Sequence, residues 1–262
     1  MIKAVFFDID GTLLSFHTHQ MPQSTRTALE QLQEKGIKLF VASGRSPRAL
    51  AEAEHLLRFS FDGCVLLNGQ YCIAGSQVIH ELPLSTATLQ ASIPYMKQRQ
   101  IACEFVELDY TYLNHVNQKV LELRSFLGPT VSQPPVDDTG RTLSHTTYQL
   151  CAYISQQEES GFLTHVPNCR LARWNPLFVD VIHELGGKAV GLQKMLEHFG
   201  LSREECMAFG DGGNDIEMLR FAKIGVATGN AGAPVKEAAD YVTSDTDHDG
   251  IFSALCHFGL IE

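Results

Sequence analysis

Long apolar runs are absent from this chain of 262 residues. No stretch approaches the roughly 20 consecutive apolar residues that a membrane helix needs, so no membrane partner is expected. The first apolar strand starts at Ile2, which leaves no room for a signal peptide. Paired cysteines are missing as well. The seven cysteines are scattered, none forms a Cys-x-x-Cys pair, and Cys64, Cys103 and Cys206 sit in apolar runs. That pattern argues against a disulfide framework and for reduced thiols in a cytoplasmic protein. Basic clusters are also lacking. Twenty Lys and Arg against 30 Asp and Glu give a net charge of −10, and no basic run tracks a helix or loop, so nucleic acid is not an expected partner. An acidic protein that handles an anionic substrate then needs a local cation to reverse the field. Tryptophan occurs once, as Trp174 beside Arg173, where it lines a pocket or simply packs. There is no internal repeat and no low-complexity tract.

What is present is a globular composition, 44% hydrophobic and 19% charged. That length holds one large domain or two modest ones. The chain opens on Ala4 to Phe7, a wholly apolar run that stops in Asp8-Ile9-Asp10-Gly11. Such a run reads as a strand buried on both faces, delivering two carboxylates to the carboxyl edge of a parallel sheet, where open α/β folds bind ligands. Carboxylates that close repel each other, and a cation is the natural third party. Taken alone, the same residues also read as an Asp-Gly turn with a spare aspartate.

The expected elements continue the alternation. Pro22 to Glu34 reads as a helix, Ile37 to Ala42 as a second buried strand, and Ser46 caps a helix reaching Leu57. Between that strand and helix lie Ser43-Gly44-Arg45, where backbone N–H groups and the helix dipole favour an anion; an ordinary cap with a surface arginine is the plainer alternative. His17 and His19, in the loop before the first helix, read as solvated. Cys64 to Leu67 is a third strand ending in Asn68-Gly69, and Tyr71 to Ala74 with Gln77 to Glu81 forms a hairpin.

From Leu84 to about Val181 the character changes. A helix over Ser85 to Arg99, a strand over Ile101 to Val106 and a helix over Val116 to Phe126 are expected. A loop rich in Pro and Asp (Pro129, Pro134, Pro135, Asp137, Asp138) follows, then strands over Tyr148 to Ile154 and Leu177 to Ile182. This reads as a separate α+β unit. After Gly186-Gly187 comes a helix over Lys188 to His198. Glu204 to Phe209 is a strand running into Gly210-Asp211-Gly212-Gly213-Asn214-Asp215. Ile216 to Phe221 is helical, Ile224 to Ala227 a strand, Val235 to Ala239 helical, Tyr241-Val242 a last strand and Ile251 to Phe258 a closing helix.

Strand ends thus carry Asp8 and Asp10, then Ser43 to Arg45, then Asp211 and Asp215, with Lys188 at a helix start. Oxygen ligands with no His or Cys nearby point to magnesium rather than zinc. In order, Asp8-Ile9-Asp10-Gly11-Thr12, Ser43-Gly44-Arg45, Lys188 and Gly210 to Asp215 resemble the motifs of the haloacid dehalogenase-like (HAD) phosphatases. Lys188 through Leu219, and Asp249-Gly250-Ile251, resemble their Cof-type branch of sugar phosphatases. The resemblance implies a Rossmann-like core of strand order 5-4-1-2-3 from residues 1–82 and 183–262, with an inserted α+β cap of the C2 type over 83–182 that sets specificity.

The function it implies is magnesium-dependent hydrolysis of small phosphorylated metabolites, hexose phosphates first among them. Asp8 is already ionised at neutral pH and can attack phosphorus, giving an aspartyl phosphate; Asp10 can protonate the leaving alkoxide and then activate water. A carboxylate about 4 Å from a phosphate repels it by about 4 kcal/mol per charge pair at an effective dielectric of about 20. Uncompensated, that is about a thousandfold in rate. The resemblance assigns the magnesium to Asp8, the Asp10 carbonyl and Asp211, with Asp215 supporting its water shell. It assigns Ser43 and Lys188 to the phosphoryl oxygens, and Gly44, Arg45, Asn68 and Asn214 to contacts with phosphate or leaving group. A phosphomannomutase-like phosphomutase and a non-catalytic metabolite-binding protein share this core and stand as alternatives. The expected partner is a small phosphorylated metabolite, and the expected assembly a monomer or homodimer.

Overall fold

The computed structural model describes residues 1–127 and 134–262. Of the expected Pro- and Asp-rich loop, Pro129 lies outside the described residues. The first strand, β1 (Ala4–Phe7), is buried at every position. Its side chains alternate between two cores, as a strand in the middle of a covered sheet requires. Val5 and Phe7 join one cluster and Ala4 and Phe6 the other. Phe7 stacks on Phe209 with ring centroids 5.2 Å apart, and Phe6 on Phe40 at 4.6 Å.

The chain alternates as expected through α1 (Gln23–Glu34), β2 (Lys38–Ala42), α2 (Pro47–Leu57) and β3 (Gly63–Leu66), then turns back in the hairpin of β4 (Tyr71–Ala74) and β5 (Gln77–Glu81). Next come α3 (Thr86–Arg99), β6 (Cys103–Val106), β7 (Thr111–Leu113), α4 (Gln118–Leu127), β8 (Gln149–Ala152), α5 (Glu159–Leu163), β9 (Cys169–Asn175) and β10 (Phe178–His183). The chain closes through α6 (Lys188–His198), β11 (Cys206–Gly210), α7 (Ile216–Phe221), β12 (Ile224–Ala227), α8 (Ala233–Ala238), β13 (Tyr241–Val242) and α9 (Gly250–His257).

Two sheets result. The larger has the order β13-β12-β11-β1-β2-β3-β4-β5. Its parallel centre β12-β11-β1-β2-β3 is the 5-4-1-2-3 order, with the hairpin running antiparallel on one edge. Helices α1 and α9 cover one face; α6, α7 and α8 supply the apolar side chains of the other. The smaller sheet, β7-β6-β8-β10-β9, is antiparallel throughout. One face packs Phe105, Leu150, Val179 and Val181 against α3 and α5. The other carries Glu104, Val106, Gln149, Cys151, Phe178 and Asp180 toward the carboxyl edge of the large sheet.

All seven cysteines are free thiols. Burial pushes Cys64 up to about 11 and Cys72 up to about 12, so neither is a ready nucleophile. Among the described residues, no helix is long and apolar enough to cross a membrane.

Candidate active site

Each strand of the parallel centre stops where its backbone ladder ends and delivers polar residues to one edge. The Asp8 N–H still bonds the Phe209 carbonyl at 3.0 Å, so the carboxylate leaves the sheet at its last ladder position. Beyond it the chain turns sharply: Leu14 N–H bonds Ile9 O at 2.8 Å, and Gly11 N–H bonds Leu14 O at 2.8 Å. Gly11 makes the turn with φ +91°, and a Cβ there would collide with the Asp211 carboxylate and the Phe16 ring. The tight turn sets the first aspartates beside the end of β11.

At that end Asp215 folds back on its own loop. Its Oδ2 accepts from the N–H groups of Asp211 at 3.0 Å and Gly212 at 2.8 Å, and its Oδ1 accepts from Lys188 Nζ at 2.5 Å. Lys188 also donates to Asp8 Oδ1 at 2.5 Å. The lysine is the first residue of α6, after Gly187 at φ 127°, and its side chain is fully buried. Burial works against its charge, but Asp215 and Asp8 more than offset that, so its pKa stands above the ordinary lysine value. Asp8, by contrast, is pushed up to about 7. Burial is the main cause; Asp215 and Asp10 add to it, and Lys188 holds it down. Asp211 is raised well above its ordinary value too, by burial first and then by Asp8 and Asp215.

Carboxylate oxygens of Asp8, Asp211 and Asp215 all lie within 4.8 Å of one another. One lysine faces these three acids. The surplus of negative charge and the all-oxygen donor set fit a hard divalent cation. His17 is exposed and His19 half-buried, and neither belongs to this cluster.

Asp10 takes a different direction. Its carboxylate is held in a fork by Arg45, Nε to Oδ2 at 2.8 Å and Nη2 to Oδ1 at 2.7 Å. Arg45 follows Ser43, whose Oγ accepts from the Arg45 N–H at 3.2 Å, and Ser46 caps α2 through the Ala49 N–H at 3.2 Å. Leu67 and Asn68, after β3, both have φ 52°, a left-handed pair of the kind that concentrates at working sites. Asn68 is buried and spans the two sheets: Nδ2 donates to Gln149 Oε1 and to Asp180 Oδ2, each at 2.9 Å, while Oδ1 accepts from Asn214 at 2.9 Å.

These groups surround a cavity of about 860 Å³ between the sheets. Asp8, Asp10, Ser43, Gly44, Arg45, Asp211 and Asn214 lie on its wall, with the small sheet opposite. Lys188, Asp215 and Asn68 stand just behind the wall, bonded to residues that form it. Trp174 and Arg173 also line it, but the Arg173 guanidinium is engaged by Glu159 and by the carbonyls of Ile154, Asn175, Pro176 and Phe178.

Several residues with no role assigned from sequence also converge here. Thr12 Oγ1 donates to Asp211 Oδ1 at 2.8 Å. Asn230 Nδ2 reaches Gly11 O at 2.9 Å and Asp211 Oδ2 at 3.3 Å, and Thr246 Oγ1 donates to the same Gly11 carbonyl. Thr12 stands inside the Asp-Gly-Thr motif. Asp180 breaks the apolar run Phe178 to Ile182, so the sequence already marks an acid set inside a buried strand.

A parallel α/β sheet whose carboxyl edge gathers four aspartates, a buried lysine and an anion-ready helix start defines a class: an enzyme built for an anionic substrate and a cation. Comparison with known proteins narrows it. Residues 5–255 match the family model of haloacid dehalogenase-like hydrolases. YkrA of Bacillus subtilis, provisionally named a phosphatase, is 34% identical over 99% of each chain. The structure of BT4131, a HAD subclass IIB sugar phosphatase, superposes with a TM-score of 0.90 at 40% identity, covering 99% of this chain and 100% of that one. BT1666 from Bacteroides thetaiotaomicron, described among the phosphatases of the haloalkanoate superfamily, matches with a TM-score of 0.90 at 34% identity, over 100% and 96% of the two chains. The chain belongs to the haloacid dehalogenase-like hydrolases and is a phosphatase of that family.

Proposed function

We propose that the protein is a magnesium-dependent phosphatase of small phosphorylated metabolites, hexose phosphates foremost, working through an aspartyl phosphate on Asp8. The observation that carries this is the placement of Asp8: at the end of β1, on the cavity wall, with its Oδ1 2.5 Å from a fully buried lysine. Lys188 fixes one carboxylate oxygen and leaves the other facing the cavity as the attacking atom. Ser43 and Gly44 flank the phosphate end, and Lys188 stabilises charge on Asp8 and on the transferring phosphoryl group. Asp10 delivers a proton to the leaving oxygen and withdraws one from water in the second step. Arg45 orients the Asp10 carboxylate through its two-point fork and lies within reach of the phosphate end. Asn214 faces the substrate and is held by Asn68, which acts on the substrate side through its partners. Asp8, Asp211 and the Asp10 carbonyl would hold magnesium, with Asp215 supporting its water shell, and its charge would offset the repulsion between carboxylate and phosphate. Residues 1–82 and 183–262 form the catalytic core on this reading, and 83–182 the cap.

BT4131 is a sugar phosphatase, and its likeness across the whole chain supports the sugar-phosphate assignment. The test is phosphate release from hexose, pentose and triose phosphates and from nucleotides, with and without magnesium, for wild type and Asp8→Asn. Magnesium-dependent release that is lost in the variant is the expected result. No release from any of them overturns the phosphatase reading, and hexose 1- and 6-phosphate exchange without free phosphate would replace it with a mutase.

A further inference from the structure

The cavity has two unlike sides. The large-sheet side is the phosphate end already described. The opposite side is one face of the small sheet, and its polar groups fall in register: Glu104 and Asp180 each pair with Cys151, forming a cross-strand row over β6, β8 and β10. Of the two acids, Asp180 comes close to the phosphate end. A methyl group on Gly44 would lie 3.3 Å from Asp180 Oδ2. Gly44 adjoins Ser43, so Asp180 stands next to the phosphate end of the cavity.

The hydrogen-bond capacity of this group is only half used. An ionised carboxylate offers about four acceptor positions. Asp180 takes one bond from Asn68 Nδ2 at 2.9 Å and one from Cys151 Sγ at 3.2 Å. Burial lifts its pKa to about 6, so it remains ionised at neutral pH. No ion pair binds it among the described residues; Arg45, Arg48 and Arg173, which line the same cavity, sit on Asp10, Glu52 and Glu159. Gln149 beside it accepts from Asn68 at 2.9 Å, while among the described residues its Nε2 has only long contacts, 3.4 Å to Gly44 O and 3.6 Å to Cys151 Sγ. Together they present spare acceptors and a loosely held donor: the complement of a hydroxyl, which both gives and takes a hydrogen bond.

We propose that Asp180, assisted by Gln149, determines leaving-group specificity by accepting a hydrogen bond from a hydroxyl near the phosphorylated carbon. The substrates so selected are monophosphates of neutral polyhydroxylated alcohols. This rests on the phosphatase reading above and adds to it a residue and a reason.

The experiment compares kcat/KM for glucose 6-phosphate, ribose 5-phosphate and glycerol 1-phosphate with that for p-nitrophenyl phosphate, which has no such hydroxyl. Wild type, Asp180→Asn and Gln149→Leu are measured, each checked for folding by thermal melting. A hydrogen bond to a charged acceptor is worth about 10- to 100-fold. Asp180→Asn is expected to lower kcat/KM on the preferred hydroxylated ester by that factor, mainly through KM, and on p-nitrophenyl phosphate by less than about threefold. Gln149→Leu is expected to shift the same ratio in the same direction by about three- to tenfold. An equal fall on all substrates would show that Asp180 only supports Asn68 and the loop behind it, and would overturn the proposal. So would unchanged ratios in both variants. Absence of phosphate release from every substrate by the wild type refutes the phosphatase reading itself, and this inference falls with it.

Discussion

Replacing Asp8 with asparagine should make the metal-free protein more stable at neutral pH than the wild type. Asp8 is 7% exposed, and its folded-state pKa is pushed up to about 7 from an ordinary 3.8, by burial first and by Asp215 and Asp10 next. A carboxylate raised in the folded state favours folding fully below its unfolded pKa. That contribution is lost as pH rises from about 4 through about 7. Within that window stability changes by up to about 1.4 kcal/mol per pH unit, so the span from pH 5 to pH 7 carries at most about 2.7 kcal/mol. Relaxation of water and side chains around the charge brings this nearer to about 1–2 kcal/mol. The substituted asparagine does not titrate, and it keeps an oxygen that accepts from Lys188. The stability gap between variant and wild type should therefore open above about pH 4, widen by about 1–2 kcal/mol more between pH 5 and pH 7, and level off above pH 8. Urea unfolding of both proteins in chelator, at half-unit pH steps, reads the gap directly. Saturating magnesium should then narrow or reverse it, stabilising the wild type by about 2.7 kcal/mol at 100 times the dissociation constant. A pH-independent gap, or a wild type more stable than the variant at pH 8 in chelator, would refute the argument that Lys188 compensates the acids around Asp8 only in part.

Two further predictions come from the loops that carry the site. Asp10→Asn should lower turnover of sugar phosphates by about 10²- to 10⁴-fold, the usual contribution of a positioned acid–base group. With p-nitrophenyl phosphate, whose leaving group needs no proton, a rapid burst of nitrophenolate should precede slow turnover; equal losses on both substrates and no burst would remove Asp10 from that role. Gly69→Ala should cost about 2 kcal/mol or more, because φ is +88° there and the added Cβ meets the Gly187 carbonyl just before Lys188. A melting temperature unchanged within about 1 °C would show that the contact yields easily.

The parallel centre was legible because its strands are buried on both faces and end abruptly in polar residues. Ala4 to Phe7 and Cys206 to Gly210 contain little but apolar residues and glycine, so no competing period blurs them. The hairpin over Tyr71–Ala74 and Gln77–Glu81 was equally plain from its Gly75-Ser76 turn. The small sheet was less so. Strand β9, Cys-Arg-Leu-Ala-Arg-Trp-Asn, went unread because it has no clear alternation and carries two arginines. Those charges are tolerable only because distant acids answer them: Arg170 grips Glu217, 47 residues on, and Arg173 grips Glu159. The short β7 and α5 were missed too; three to five residues are too few to establish a period.

The site shows the same division between what adjacency encodes and what only folding brings together. Asp8, Asp10, Ser43, Lys188, Asp211 and Asp215 stand out in the sequence because each lies at a strand end or helix start, where local grammar marks it. Their partnerships were not readable. Nothing in Ser43-Gly44-Arg45 says that the arginine will clasp Asp10, or that Asn68 will join Asn214 to Asp180, 112 residues from it. These pairings decide how charge is distributed. Arg45 neutralises Asp10, while among the described residues Lys188 is the one cation paired within the cluster of Asp8, Asp211 and Asp215, so the excess of negative charge sits on one side of the cavity mouth and not across it. A uniform spread of the same charges would repel a phosphate from every direction. Segregated as they are, the acids leave Ser43, Gly44 and the start of α2 as the side suited to an anion and gather the side suited to a cation around Asp8. The polarity that lets an acidic protein receive an acidic substrate is therefore a property of the tertiary pairings, laid over residues whose positions the strand ends had already set.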